Sequence, residues 1–91
     1  MTTNAECLEI DGERVVETLQ TASETLDSVK GDVVLDFSSV RRVDPSVIRA
    51  LEKFASVADG KAVKVVLRGV NVDIYKVLKL VKLTSRFSFL A

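Results

Sequence analysis

The carboxylates that could take part in chemistry lie near the ends of predicted elements. Asp36 lies near the end of one predicted strand, and Asp44 lies just before the helix that follows it. Two neighbouring carboxylates can act as general acid and general base, so this pair is the candidate for a catalytic dyad. The sequence favours ordinary roles instead: a hydrogen-bond acceptor at a strand end for Asp36, and a helix cap ahead of Pro45 for Asp44. We therefore predict that neither residue is catalytic.

Residue counts exclude other kinds of catalytic and cofactor site. The sequence contains no histidine, which removes histidine-dependent metal sites, catalytic triads and proton shuttles. Its single cysteine, Cys7, has no histidine partner and is predicted to pack within a strand. The four glycines stand at predicted element boundaries and form neither a dinucleotide-binding nor a P-loop motif. We predict that the protein is not an enzyme and has no catalytic residues, no metal and no cofactor.

Length and composition bound the kind of protein. The 91 residues suffice for one domain, residues 1–91, and 47% of them are hydrophobic, which excludes a disordered chain. The longest apolar stretches, such as residues 33–35, are far shorter than the roughly 20 residues of a membrane-spanning helix. A lone cysteine and a start without a basic or apolar signal region favour the reducing cytoplasm. We expect a cytoplasmic protein without direct membrane insertion.

Charge is unevenly distributed along the chain, although the formal net charge is zero. Residues 1–40 contain nine acidic and two basic residues, a net of −7, whereas residues 41–91 contain eleven basic and four acidic residues, a net of +7. Folding could mix these charges over one surface, or it could leave a bipolar molecule that orients on a charged partner. The sequence alone is compatible with both.

A basic feature lies on the third predicted helix. Lys76, Lys79 and Lys82 recur every three residues, opposite an apolar stripe, and Arg86 follows them. Such a surface could contact phosphates or anionic lipids. The zero net charge and the lack of an aromatic set for base stacking favour a solvated lysine face instead. We therefore predict no nucleic-acid binding.

Hydrophobic periodicity predicts elements in the order β-α-β-α-β-α-β. The predicted strands cover residues 7–11, 32–37, 62–68 and 86–90, and the predicted helices cover residues 15–30, residues 45–60 and a segment that begins after Asn71. The nearly continuous apolar run at 32–37 suits a strand that is covered on both faces. This alternation predicts an α/β domain with one central mixed, largely parallel sheet of about four strands packed by helices.

The start of the second predicted helix is the most informative surface. Ser46 lies in its first turn, near backbone N–H groups without helical partners, where the helix dipole would favour a phosphate. Ser46 could equally be a small polar residue at a helix start. Arg41 and Arg42 precede the helix and could complete a docking face with the polar residues along its exposed side. Those residues are Arg49, Glu52, Lys53 and Ser56.

Two neighbouring stretches, residues 34–40 (VLDFSSV) and 43–51 (VDPSVIRAL), resemble the signature of the STAS domain family. In that family, a strand ending in Leu-Asp leads to an Asp-Ser-Ser-Gly segment at the start of a helix. Further matches occur at Gly60, residues 65–70 and residues 78–83. The resemblance covers residues 7–90 and implies the STAS fold.

The resemblance implies a role like that of bacterial anti-sigma factor antagonists. These non-enzymatic proteins bind a kinase-type anti-sigma factor and thereby regulate transcription, and phosphorylation of a serine blocks the binding. Pro45 occupies the position of that serine in this sequence and has no hydroxyl group, and Val47 replaces the following glycine. Ser46 is the neighbouring residue that could be phosphorylated instead.

A second branch of the family is similar in another stretch. Residues 67–80 (LRGVNVDIYKVLKL) and 42–44 resemble the STAS accessory subunit of Mla-type phospholipid ABC transporters. That subunit lies in the cytoplasm on the ATPase subunit and supports its assembly and activity. The alternative function implied by this resemblance is docking on an ABC ATPase, which requires no phosphorylatable serine.

We therefore predict a protein-interaction module. Its partner is an anti-sigma factor or kinase-like protein or, alternatively, an ABC ATPase subunit, and the sequence is also compatible with a homodimer. The residues predicted to bind the partner are Arg42, Asp44, Pro45, Ser46, Arg49, Lys53 and Asn71.

Overall fold

Strands and helices alternate along the chain in the predicted order. The computed structural model describes residues 6–28 and 31–90. Within these ranges, strands β1 to β4 are Glu6–Glu9, Asp32–Asp36, Lys64–Arg68 and Ser88–Leu90. Helices α1 to α3 are Val15–Thr25, Pro45–Gly60 and Val72–Leu80, and a 3-10 turn at Leu26–Ser28 follows α1.

The strands form one sheet in the order β1-β2-β3-β4, and every neighbouring pair is parallel. The register aligns Leu8, Leu35, Leu67 and Phe89 across the sheet. Parallel neighbours need crossover connections, and right-handed crossovers between successive strands place all three helices on the same face. The predicted α/β class is confirmed, and the described strands form a fully parallel sheet rather than a mixed one.

The hydrophobic core lies between that face and the helices. Its buried side chains come from alternate strand positions and from one side of each helix. The large side chains among them that are almost completely buried are Ile10, Leu19, Leu26, Val33, Leu35, Phe37, Leu51, Phe54, Leu67, Ile74 and Leu78. Burial of each large apolar side chain contributes about 1.5–3 kcal/mol, so this layer of contacts positions the helices on the sheet.

The other face of the sheet corrects two expectations. Residues of β2 alternate between buried and half-buried, so the strand is not covered on both faces: Val33 and Leu35 are buried, whereas Val34 is half-buried. The reason is the one-sided helix layer, which leaves this face without a helix from the described ranges. Cys7 aligns with Val34 and is exposed on the same face, so its predicted packing role is wrong.

Helix α2 begins and ends where the sequence predicts. The Asp44 side chain accepts a hydrogen bond from the Val47 backbone N–H at 3.0 Å, as a helix cap does. Pro45 takes the first helical position, where its missing N–H costs no helical hydrogen bond. Leu51 and Phe54 bury one side of the helix in the core. The start of α2, which carries most of the predicted docking residues, is therefore fixed by both capping and packing.

Several other boundaries differ from the prediction. The α-helical part of α1 ends at Thr25, well before the predicted stop at Gly31, because a 3-10 turn follows it. The predicted helical residues Val29 and Lys30 lie outside the described ranges. Ala62, predicted to open the third strand, has a positive φ of 57° that belongs to a turn, so β3 begins only at Lys64. The last strand likewise begins later than predicted, since the backbone N–H of residue 86 bonds back to residue 83 in a turn.

Candidate functional site

The loops that follow β1, β2 and β3 lie at one edge of the sheet. Parallel strands all end at the same edge, and open α/β sheets commonly bind their ligands there. In this chain the loops are residues 10–14, 37–44 and 69–71. We call these loops, together with the helix starts to which they lead, the carboxyl edge.

Close contacts hold these loops against one another. A Cβ atom on Gly12 would lie only 2.0 Å from the Ser39 carbonyl oxygen, so only glycine lets the first loop approach the second this closely. Gly69 has a φ of +73° and is similarly crowded by the second loop. The Asn71 side-chain amide donates to the Arg41 carbonyl oxygen at 3.0 Å, which ties the third loop to the second. The carboxyl edge is therefore one interlocked surface rather than three separate loops.

One carboxylate organises the first turn of α2. Asp44 Oδ1 accepts hydrogen bonds from Ser46 Oγ at 2.6 Å and from the Val47 N–H at 3.0 Å. The Ser46 hydroxyl is therefore turned back onto the cap, while Pro45 between these residues is exposed. The helix start presents a carboxylate, a pyrrolidine ring and a hydroxyl in a fixed arrangement.

Hydrogen bonds keep both carboxylates of the candidate dyad ionised. The Ser46 hydroxyl, followed by the Val47 backbone N–H, lowers the pKa of Asp44 below its ordinary value. The Ser38 hydroxyl and the Ser38 backbone N–H, which donates at 2.9 Å, lower the pKa of Asp36 in the same way. A general acid at neutral pH needs a raised pKa, which is the opposite shift. Both carboxylates have the hydrogen-bonding and capping roles that the sequence predicts.

A cleft of about 340 Å³ separates the starts of α1 and α2. Arg42, Asp44 and Ser46 line one wall, and Arg14 and the first turn of α1 line the other. A second depression of about 570 Å³ shares Arg42 with this cleft and continues along the first two loops. The carboxyl edge thus combines walls that carry charges of both signs, a capped helix start and open space beside them.

Most of the predicted partner-binding residues meet at this edge. Arg42, Asp44, Pro45, Ser46 and Arg49 lie at or near the start of α2, and all are exposed. Lys53 lies about two turns further along α2 and faces the groove between α1 and α2, beside Gln20. Lys53 is therefore exposed but lies away from the loops of the carboxyl edge.

Asn71 lies at the carboxyl edge as predicted, but its side chain is already occupied. Its amide oxygen accepts a hydrogen bond from the Ile74 N–H at 2.8 Å, and its amide nitrogen donates to the Arg41 carbonyl. These two bonds cap α3 and join two loops. Asn71 consequently positions the surface that the other residues present.

Helix α1 also contributes to this edge, which the sequence does not predict. Its first turn faces the start of α2 across the cleft, and its N-cap residue, Arg14, makes no side-chain cap hydrogen bond. The Asp11 carboxylate instead accepts from the Glu13 N–H at 2.9 Å and forms the turn before the helix. The Asp11-Gly12 pair is a turn signal in the sequence, but it does not reveal which loop packs against it.

The described ranges contain neither a cluster of metal-binding side chains nor a helix suited to span a membrane. No three His, Cys, Asp or Glu side chains within residues 6–28 and 31–90 come close enough together to hold a metal ion. None of the helices in this part of the chain combines the length and apolar character needed to cross a bilayer.

Solved structures share this fold. A sulfate transporter family protein from Wolinella succinogenes superposes with a TM-score of 0.80 at 20% identity, over 98% of this chain and 79% of that chain. A crystal structure from Thermotoga maritima, assigned as an anti-sigma factor antagonist, gives a TM-score of 0.66 at 17% identity, over 98% of this chain and 74% of that chain. A solution structure of the same Thermotoga protein gives 0.78 at 15% identity, over 99% and 76%. At these identities the similarity shows the fold alone.

Sequence comparison gives the family. A search of curated proteins found no significant match to this sequence. A family profile described as "Mlab, STAS domain" matches residues 8–88, which extend from β1 into β4 and include the whole carboxyl edge. This match spans most of the chain and establishes that the chain belongs to the STAS domain family.

Proposed function

We propose that residues 1–91 act as one cytoplasmic, non-catalytic domain that binds a protein partner through the start of α2. STAS domains are generally regulatory or interaction modules, which supports this class of function. The observation that carries the proposal is the interlocked carboxyl edge, where exposed side chains at the start of α2 are held in place before any partner binds. A surface that is already ordered loses little conformational entropy on association.

Pro45 determines the kind of binding that we propose. Its ring has no hydroxyl to phosphorylate, and the Ser46 hydroxyl lies about 100° further round the helix, hydrogen-bonded to Asp44. A phosphate on Ser46 would remove that donor and place negative charge beside the Asp44 carboxylate. We therefore propose constitutive docking in place of a phosphorylation switch, with Ser46 as the only alternative site of modification in this turn.

The first candidate partner is a regulatory protein of the anti-sigma factor or kinase-like class. The resemblance of residues 34–51 to anti-sigma factor antagonists supports this class, as does the Thermotoga neighbour assigned to it. The exposed guanidinium groups of Arg42 and Arg49 beside the helix start suit an acidic surface on the partner.

The second candidate partner is the ATPase subunit of a phospholipid-type ABC transporter. The family profile that matches this chain is the one described as "Mlab, STAS domain", which favours this alternative specifically. A subunit that remains docked on an ATPase needs no phosphorylation switch, and this agrees with a proline at position 45. In this role the start of α2 would contact the ATPase directly.

Titration calorimetry against both candidate proteins, taken from the same genome, tests the surface and identifies the partner. We expect one of them to bind the wild-type chain. Arg49→Glu and Ser46→Glu should each weaken that complex by about tenfold or more, because each places negative charge at the interface. Arg49→Glu should keep the wild-type melting temperature, whereas Ser46→Glu should remain folded but melt slightly lower, because it removes the hydroxyl that donates to Asp44. Lys64→Glu is the matched charge reversal, since Lys64 is exposed at the opposite end of the sheet, and it should bind like wild type.

Two results would contradict the proposal at different points. Wild-type affinity in both Arg49→Glu and Ser46→Glu would remove the start of α2 as the binding surface. A phosphate on Ser46, found by intact-mass analysis of protein isolated from its own host, would contradict constitutive docking while leaving the surface itself unaffected.

A further inference from the structure

Helix α3 differs from the other helices in the side chains that it exposes. Apart from Pro45 and Gly60, the exposed residues of α1 and α2 are polar or charged, as is usual for helices that face water. The large hydrophobic side chains that are exposed in the described ranges all belong to α3, to the residue after it, or to β4. They are Val72, Tyr75, Leu80, Val81 and Leu90, which are 68, 42, 82, 39 and 51% exposed.

Two stripes run along α3. Ile74 and Leu78 form the buried stripe that packs on the core. The second stripe has the spacing i, i+3, i+4, i+7 and i+8 and covers about 140° of the helix circumference, which is typical of a surface that packs against another helix. Its members are Val72, Tyr75, Lys76, Lys79 and Leu80. We call these five residues the outer face of α3.

The outer face of α3 is also positively charged. Lys76 and Lys79 lie within it and Lys82 follows just beyond the helix, and all three are exposed. Neither of the two salt bridges found between described residues uses these lysines. Asp73 is the one acidic residue of α3 and lies in its first turn, where it suits the positive end of the helix dipole. The face therefore combines apolar area with cations that form no salt bridge within the described ranges.

The position of α3 in the helix layer leaves this face open. The helix connects β3 to β4, the last strand of the sheet, and no described helix lies beyond it in the layer. The Tyr75 ring contacts Phe89 of β4 edge-to-face, with ring centroids 5.2 Å apart, which turns the outer face toward that open side. A shallow depression of about 460 Å³ lies among Lys76, Lys79 and Leu80. Side chains of a neighbouring helix could occupy it.

We propose that an acidic amphipathic helix of a partner protein packs on the outer face of α3 as the next helix of the layer. Its apolar residues would cover Tyr75 and Leu80, while carboxylates beside them pair with Lys76 and Lys79. This surface lies apart from the start of α2, so the inference does not depend on the function proposed above. A chain with both surfaces can join two proteins.

The arrangement of the lysines favours a helix over an anionic membrane. A helix that lies in a membrane interface separates its apolar residues from its lysines on opposite sides. Here Lys76 and Lys79 lie in the middle of the face, between Tyr75 and Leu80 in angle, so membrane contact would press them toward the acyl chains. An acidic helix can instead present glutamates one turn apart directly to the two lysines.

NMR titration of the isotope-labelled full chain with two synthetic peptides tests this proposal. Both peptides are about 18 residues long, enough for five helical turns, with leucines at helical spacing flanked by glutamates in one and by lysines in the other. We expect shift changes along α3 and β4, and affinity for the glutamate peptide about tenfold higher than for the lysine peptide. Lys79→Glu should remove this preference, Leu80→Ser should weaken binding of both peptides, and Lys64→Glu should change neither.

Several outcomes would overturn the proposal. These are equal affinity for the two peptides, shift changes confined to the start of α2, or no shift changes at millimolar peptide. Phosphatidylglycerol vesicles that bind the wild type but not Lys79→Glu, without any preference for the glutamate peptide, would identify a lipid surface instead. A concentration-dependent dimer that Leu80→Ser abolishes would identify a second copy of the chain as the occupant.

Discussion

The backbone around Gly12 is crowded and the space around Gly60 is open, so substitutions at these two glycines form a matched test of the interlocked loops. A Cβ atom on Gly12 would meet the Ser39 carbonyl oxygen at 2.0 Å and its carbonyl carbon at 2.8 Å, and these backbone atoms cannot rotate away. Nothing lies within 4 Å of a Cβ atom on Gly60. We predict that Gly12→Ala lowers the free energy of unfolding by about 1–3 kcal/mol, because the two loops must separate. Gly60→Ala should be neutral or slightly stabilising.

Urea unfolding followed by circular dichroism measures both variants. Wild-type stability in Gly12→Ala would mean that the first two loops are not in the close contact described above. An equal loss in Gly60→Ala would mean that replacing glycine is harmful in itself, independently of the contact with Ser39.

Asp44 makes the stability of the fold depend on pH in the acid range. Its pKa is lowered from 3.8 by hydrogen bonds from Ser46 and Val47, so the folded protein binds this proton less readily than the unfolded chain. Such a group contributes its full stabilisation above the unfolded pKa and loses it as the pH falls through the folded pKa. The pKa of Asp36 is lowered in the same direction, by Ser38. We therefore expect the wild type to lose stability below about pH 4.

The Asp44→Ala variant separates the contribution of this cap from that of Asp36. At neutral pH it should melt about 5 °C below the wild type, the usual effect of losing an N-cap in a small domain. The difference should shrink as the pH is lowered below 4, because protonation removes the same interaction from the wild type. Glu52→Ala, an exposed change on the same helix, should melt like wild type at every pH. A difference that persists unchanged in strong acid would mean that the charge of Asp44 is not what stabilises the helix.

At the scale of elements, boundaries were predictable where adjacent residues determine them. Asp44 and Pro45 define the start of α2, and the Asn71 side chain caps α3 as its sequence position indicates. The end of α1 and the start of β3 were not predictable in this way. A 3-10 turn replaces the last turn of α1, and Ala62 takes a positive φ although alanine has no preference for it.

Whether helices lie on one face of the sheet or on both depends on strand order, which no single segment of the sequence encodes. The apolar run of β2 is compatible with helices on one face or on both. The strand order β1-β2-β3-β4 places the helices on one face only.

The candidate site was predictable to the same extent. The start of α2 follows from its local motif, whereas the part of α1 in the carboxyl edge depends on the contact between Gly12 and Ser39, which are far apart in sequence.

At the scale of the whole molecule, strand order converts the charge asymmetry of the sequence into a spatial one. Because the strands lie side by side in sequence order, residues 1–40 supply β1, α1 and β2 on one flank of the sheet. Residues 41–91 supply α2, β3, α3 and β4 toward the other flank. These segments carry net charges of −7 and +7. Of the two interpretations that the sequence allows, the fold therefore favours a bipolar molecule.

This bipolar arrangement predicts that the protein binds both kinds of ion exchanger at pH 7, although its formal net charge is zero. A resin attracts the flank of opposite charge and the molecule turns its other flank away, so each flank can be retained although the formal net charge is zero. We expect retention on an anion exchanger and on a cation exchanger at low salt, with elution from both as salt is added. A protein with evenly mixed charge would pass through both columns.

A double variant that keeps the net charge constant tests the cause of the retention. Glu17→Lys on α1 combined with Lys79→Glu on α3 exchanges one charge between the flanks and leaves the formal net charge at zero. It should elute at lower salt than the wild type from both columns, because each flank loses two units of its own charge. Unchanged elution would place the retaining charges elsewhere on the surface.

The same polarity would orient the chain as it approaches a charged partner. The association rate should therefore fall with added salt more steeply in the wild type than in the double variant.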